Sequence, residues 1–129
     1  MCMPSLLDSL LEMAYRMALD YVNSFNASKF IVQHPSVIVA ITITDVLKRI
    51  GISPDDPKVQ ETLRALFMEK GSGGRVSLEY RDARIEIKQS LTGSGGIRIS
   101  EFMKPVKWVY VHLPIAYYEQ ARKRIASQG

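Results

Sequence analysis

The run Asp56-Pro57-Lys58-Val59-Gln60-Glu61-Thr62-Leu63-Arg64-Ala65-Leu66-Phe67-Met68-Glu69-Lys70-Gly71 decides how the chain is read. Val59, Leu63 and Leu66 fall at i, i+4 and i+7, one face of a 3.6-residue period, so residues 57–70 are expected to be helical. Asp56 is the expected cap, and Pro57 takes the first helical position, where its missing N–H costs nothing. Gly71 stands where a helix commonly ends on a left-handed residue. After Gly71-Ser72-Gly73-Gly74 comes the clearest two-residue alternation in the chain, Val76, Leu78 and Tyr80, then Ala83, Ile85 and Ile87. A two-residue turn at Arg81-Asp82 puts both apolar sets on one side and sets Glu79 opposite Arg84, a favourable cross-strand pair. Arg-Asp is an unusual choice for so tight a turn, and a longer loop stays open.

Upstream, Thr44-Asp45 is read as the cap of a short helix through Ile50, ended by Gly51, with Ser53-Pro54-Asp55-Asp56 as the turn. The β-branched run Val37–Ile43 fits either a buried strand or the front of that helix. Periodicity does not separate the two, and the strand is preferred. At the amino end Ser5 and Asp8 resemble a capping box, followed by the helical stripe Leu7, Leu11, Ala14, Ala18, Val22 and Phe25. A second stripe, Leu6, Leu10, Met13, Met17 and Tyr21, widens that face enough to seat either the domain's own core or a second copy. Asn23–Ser28 is expected to be a loop.

Downstream, Ser90–Gly96 has the composition of a linker, and Ile97-Arg98-Ile99 that of a short strand. Lys107–Leu113 resembles a strand covered on both faces. Pro114 opens a last helix with the apolar stripe Ile115, Tyr118, Ala121 and Ile125.

Composition bounds the rest. A chain of 129 residues with 47% apolar content supports one domain, residues 1–129, without disulfide staples. The net charge of +4 is unevenly placed, about −1 over residues 1–60 and +5 over residues 61–129, so a polyanion is expected to meet the second half. The single cysteine, Cys2, excludes an intrachain disulfide and a thiolate metal cluster, which fits the cytoplasm. Asp8, Glu12, Arg16 and Asp20 interrupt the apolar run Leu6–Phe25 every fourth residue, so no membrane span is expected there. There is no internal repeat.

Groups able to carry chemistry are few. His34 precedes a proline and His112 alternates with Trp108 and Tyr110; both read as structural or surface histidines, and no metal-ligand spacing joins them. Both glycine-rich segments lead into strands, the reverse of the strand–loop–helix order that aims amides at phosphate. Capping accounts for Asp56 and leaves Asp55 without a role. No catalytic residue, metal or cofactor is expected, and the chain is read as a non-enzyme.

Residues 43–88 resemble the winged helix-turn-helix superfamily. Ile43-Thr44-Asp45-Val46-Leu47-Lys48-Arg49-Ile50-Gly51-Ile52-Ser53 is similar to the second helix and turn, residues 57–70 to the recognition helix, and the hairpin after Gly71 to the wing. The resemblance implies an α+β fold, a winged helix-turn-helix core over residues 36–88, with an added N-terminal helix (residues 1–28) and a C-terminal strand-helix extension (residues 89–129). It also implies that the recognition helix enters the major groove of double-stranded DNA, with Gln60 and Arg64 on base edges and Lys58 on phosphate. Arg81 and Arg84 at the hairpin tip, with Arg75 and Lys88 behind them, would then meet the backbone or the minor groove. The expected function is a homodimeric, cytoplasmic DNA-binding regulator of transcription. Asp55, Asp56 and Glu61 set negative charge at the approaching helix end, which keeps a second expectation open: a small protein–protein subunit of a larger nucleic-acid-processing assembly.

Overall fold

Ser5 begins the first helix as expected, its Oγ accepting the Asp8 backbone N–H at 3.1 Å. The computed structural model describes residues 5–89 and 106–128. Its elements are α1 (Leu6–Asn23), β1 (Phe30–Gln33), β2 (Ser36–Thr42), α2 (Ile43–Arg49), α3 (Pro57–Lys70), β3 (Arg75–Tyr80), β4 (Ala83–Gln89), β5 (Val106–Pro114) and α4 (Ile115–Gln128). The expected linker at Ser90–Gly96, the strand at Ile97–Ile99 and Cys2 lie outside the described residues.

The local stops and starts follow side-chain chemistry. Residues 36–42 are a strand, and the cap of α2 is Thr42, two residues earlier than Thr44: its Oγ1 accepts the Asp45 N–H at 3.2 Å. Gly51 follows α2 at φ 75°. There the Gly51 N–H bonds Lys48 O at 3.2 Å and the Ile52 N–H bonds Leu47 O at 2.9 Å, the paired closure that a left-handed residue permits. Asp56 caps α3 through the Lys58 N–H at 2.9 Å, with Pro57 first in the helix. Gly71 corrects the expectation: it ends α3 in an extended conformation, φ −76° and ψ 145°. Its need for glycine is one of space, because a Cβ there would lie 2.2 Å from Phe67 O.

The strands form one five-stranded sheet in the order β1-β2-β5-β4-β3, antiparallel at each pairing. The tight turn at Arg81-Asp82 is present, and Glu79 faces Arg84 as the alternation requires. The sheet does not divide at residue 88. β2 pairs along its length with β5, from Ser36 opposite Pro114 to Thr42 opposite Trp108, and β5 gives its other edge to β4. A strand expected in a carboxy-terminal extension is thus the centre of the sheet. The order of two helices and a hairpin along the chain left room for this, because strand pairing is decided between segments far apart in sequence.

Alternation divides the sheet into a face covered by the helices and a face that, among the described residues, is left uncovered. Val37, Val39 and Ile41, Ala83, Ile85 and Ile87, and Val109, Val111 and Leu113 are buried, while the residues between them are not. They pack in one core with Leu10, Leu11, Ala14 and Val22 of α1, Val46 and Leu47 of α2, Val59, Leu63 and Leu66 of α3, and Ala121 of α4. Each of the valine, leucine and isoleucine side chains among them contributes about 1.5–3 kcal/mol on burial. With its helices gathered on one face of an antiparallel sheet, the molecule is an α+β protein.

Both apolar stripes of α1 are used within the chain. Leu10, Leu11, Ala14, Met17, Ala18 and Val22 are buried, and Leu6, Leu7, Met13, Tyr21 and Phe25 pack against them. α4 supplies part of that cover: Tyr118 stacks on Phe25 at 5.6 Å and Arg124 bonds Asn23 O. Of the two uses left open for the wide face, the domain's own core or a second copy, the structure shows the chain's own elements packed there. Of the stripe foreseen on α4, Ala121 is buried and Ile125 is exposed. Among the described residues, no helix is long and apolar enough to cross a membrane.

Candidate nucleic-acid interface

The uncovered face is defined by three rows of registered residues. Ile31, Ile38, His112, Arg84 and Glu79 form one; Ala40, Tyr110, Glu86 and Ser77 the next; Thr42, Trp108, Lys88 and Arg75 the third. Three of the seven expected contact residues, Arg75, Arg84 and Lys88, meet here. Their charge is organised around Glu86, which is 12% exposed and lies 3.7 Å from Arg75 Nη1 and 3.5 Å from Lys88 Nζ. The carboxylate lies low against the sheet, whereas the Arg75 side chain remains 58% exposed, so the cations present outward.

Aromatic rings lie beside them on β5. Trp108 and Tyr110 stack with centroids 6.2 Å apart and planes 23° from parallel, and Lys88 Nζ sits 4.9 Å from the Tyr110 centroid. Trp108 keeps 40% of its surface open. Beyond it, where β2 passes into α2, a cleft of about 310 Å³ opens between α2 and α3, walled by Ile43, Leu47, Val59 and Leu63, with Trp108 at its rim.

His112 stands on the central strand, in the row of Arg84. Its Nδ1 is 3.5 Å from Arg84 Nη2; a guanidinium only donates, so Nδ1 is the acceptor and the ring proton belongs on Nε2. Nε2 has no hydrogen-bond partner and lies 4.0 Å from Glu86 Oε1. Burial first, then Arg84, hold the imidazole below its ordinary pKa, with Glu86 opposing them, so the neutral ring is favoured.

The other four expected residues lie elsewhere. Arg81 takes φ 56° in the hairpin turn, and its guanidinium reaches α1, 3.1 Å from Glu12 and 5.6 Å from the Tyr15 ring centroid. Tyr80 also donates to Glu12, while Tyr15 and Tyr117 donate to Asp82 at 2.6 and 2.5 Å. These bonds hold the carboxyls of Glu12 and Asp82 below their usual range and push the Tyr80 hydroxyl up, while burial first and then the bond to Asp82 push up that of Tyr15. Lys58, Gln60 and Arg64 are on α3, which packs on the covered side through Val59, Leu63 and Leu66. Gln60 donates its amide to Pro54 O at 3.3 Å, and Lys58 and Arg64 are exposed. Lys58 and Arg64 are thus carried by a helix of the covered side, whereas Gln60 lines the same cleft as Trp108.

The chain matches no family model, no curated protein and no solved structure. The site is therefore argued on its own chemistry. Among the described residues, no group of three or more histidine, cysteine or acidic side chains is placed to hold a metal.

Trp108 and Tyr110 are the residues that sequence reasoning passed over. The alternation of His112 with Trp108 and Tyr110 is read from the sequence, but taking Lys107–Leu113 as covered on both faces gives it no open side, whereas Val109, Val111 and Leu113 are buried and Trp108 is not. That two-residue period is visible in the sequence.

Proposed function

We propose that this protein binds nucleic acid without catalysing a reaction, and that it does so on the uncovered sheet face. The observation that carries this reading is that Arg75, Arg84 and Lys88 share one face with the partly open Trp108. Cations that meet phosphate release counterions, and aromatic rings beside them accept bases, a pairing that water alone does not favour. Among the described residues no helix packs over this face.

The test is a binding titration of labelled nucleic acid at rising salt. Three phosphate contacts give a log–log slope of roughly −2 to −3. The double variant Arg84→Gln with Lys88→Gln is expected to flatten that slope by about 1.5 and to weaken binding. A slope near zero, or a double variant that binds as the parent does, overturns the reading.

The winged-helix reading, a dimeric regulator of transcription on duplex DNA, is supported by a second feature: α3, capped by Asp56, carries Lys58 and Arg64 at exposed positions directly after α2. It predicts that Arg64→Ala and Lys58→Ala weaken duplex binding as much as the sheet-face variants do. The sheet-face reading predicts that they leave it within about twofold.

A further inference from the structure

Resting on the sheet-face reading, we infer that the ligand is single-stranded and that one of its bases stacks on Trp108 at the mouth of the cleft between α2 and α3. A duplex hides the faces of its bases inside its own stack and offers an edge and a phosphate rail. A platform ring finds a partner only where a base is unpaired.

Four observations converge on Trp108. It is a large aromatic left 40% exposed among the cations of this face. Tyr110 braces it from one side, fixing the plane of the ring. Lys88, its registered neighbour on β4, puts a cation beside the ring and so beside the phosphate of any base stacked there, with Arg75 next in the same row. The cleft at its rim has a volume of about 310 Å³, room for a planar base, and its apolar walls carry the Thr44 hydroxyl and the Asp55 carboxylate as polar groups for edge contacts, the Thr42 hydroxyl and the Gln60 amide being bonded to Asp45 N and Pro54 O.

Charge marks a path for the bound strand. Arg84 and Lys88 are four residues apart on β4, about 13 Å at strand spacing, so phosphates run along β4 from the hairpin turn toward Trp108. Glu79 stands opposite Arg84 at the outer edge, which disfavours a path along β3. The low-lying Glu86 is occupied by Arg75 and Lys88 and leaves the path along β4 cationic.

Trp108 is the single tryptophan of the chain, so its emission reports the proposed contact directly. The experiment titrates the full chain with an oligo(dT) of about 12 nucleotides, with a blunt duplex of the same length, and with thymidine monophosphate. Quenching of Trp108 by the oligonucleotide, with affinity at least about tenfold above the duplex, is expected. Trp108→Ala is expected to weaken the single strand about tenfold and to leave the duplex unchanged, and Trp108→Phe to recover most of the loss. Circular dichroism of each variant confirms that it is folded. Equal affinity for duplex, a folded Trp108→Ala that keeps parental affinity, or equal quenching by the mononucleotide would each overturn the inference. If both polymers bind with a salt slope that the Arg84 and Lys88 changes flatten while Trp108 stays silent, the sheet-face reading survives and the stacking does not. If neither polymer binds, both fall.

Discussion

Arg81 and Arg84 lie three residues apart at one hairpin, yet their guanidinium groups serve opposite sides of the sheet. Arg81 Nη2 is 3.1 Å from Glu12 on α1, and Arg84 Nη2 is 3.5 Å from His112 Nδ1 on the uncovered face. A tip expected to act as one basic wing is thus divided between holding the fold and meeting a ligand. Arg84→Ala is expected to weaken nucleic-acid binding with little change in stability. Arg81→Ala is expected to lower stability with binding unchanged, as paired urea melts and binding titrations would show.

The Arg81 backbone gives a sharper test. Its φ of 56° is a left-handed conformation that costs a residue with a Cβ about 1 kcal/mol relative to glycine. Arg81→Gly and Arg81→Ala lose the same contacts with Glu12, Tyr15 and Tyr80. The glycine variant should therefore be the more stable by about 1 kcal/mol in urea denaturation. Equal midpoints would mean that the turn relaxes when the side chain is removed.

Two glycines are expected to fail for different reasons. Gly51 has open space around it but φ 75°, so Gly51→Ala should cost about 1 kcal/mol. Gly71 has an ordinary φ, but a Cβ would press on Phe67 O, so Gly71→Ala should cost more, about 1–3 kcal/mol, with the end of α3 displaced. Thermal melts that ranked them the other way would contradict the close approach at Gly71.

Stability is expected to fall at both ends of the pH scale. The carboxyls of Asp82 and Glu12 are depressed by the tyrosine hydroxyls that donate to them, so their contribution is present above the ordinary values near 3.8 and 4.5 and is lost as pH falls through the folded values. Tyr15 and Tyr80 are raised, Tyr15 mainly by burial and Tyr80 mainly by Glu12, so theirs is present below pH 10 and is lost as pH rises beyond it. Asp82→Asn should flatten the acid limb. Melting temperature followed from pH 2 to pH 11 reads both limbs in the parent and the variant.

The two faces of the sheet predict opposite tolerance. Ile85 is fully buried, and Ile85→Ala should cost about 2–5 kcal/mol. Ile31 is 62% exposed, and Ile31→Ala should stay within about 0.5 kcal/mol of the parent. Chemical denaturation of both variants would show whether the division into covered and uncovered faces holds in solution.

What was legible in the sequence was local. Ser5, Asp56 and Pro57 announce helix starts, Gly51 a helix end, and the spacing of Val76 to Ile87 fixes the hairpin register down to Glu79 opposite Arg84. These depend on neighbours within a few positions. The pairing of β2 with β5 joins residues more than sixty positions apart, and no local pattern encodes it. The parting of Arg81 from Arg84 was hidden for the same reason, since Glu12 and His112, which draw them to opposite sides, are remote in sequence from the turn.

The central place of β5 orders events during synthesis. Until residues 106–114 have left the ribosome, β2 has only the four-residue β1 beside it, and the β3–β4 hairpin has no strand on its inner edge. Two separate hairpins, each too small to be stable alone, wait for the strand that joins them. Native structure should thus arise late and in one step, and a nascent chain stalled before residue 106 would be the species most in need of a chaperone.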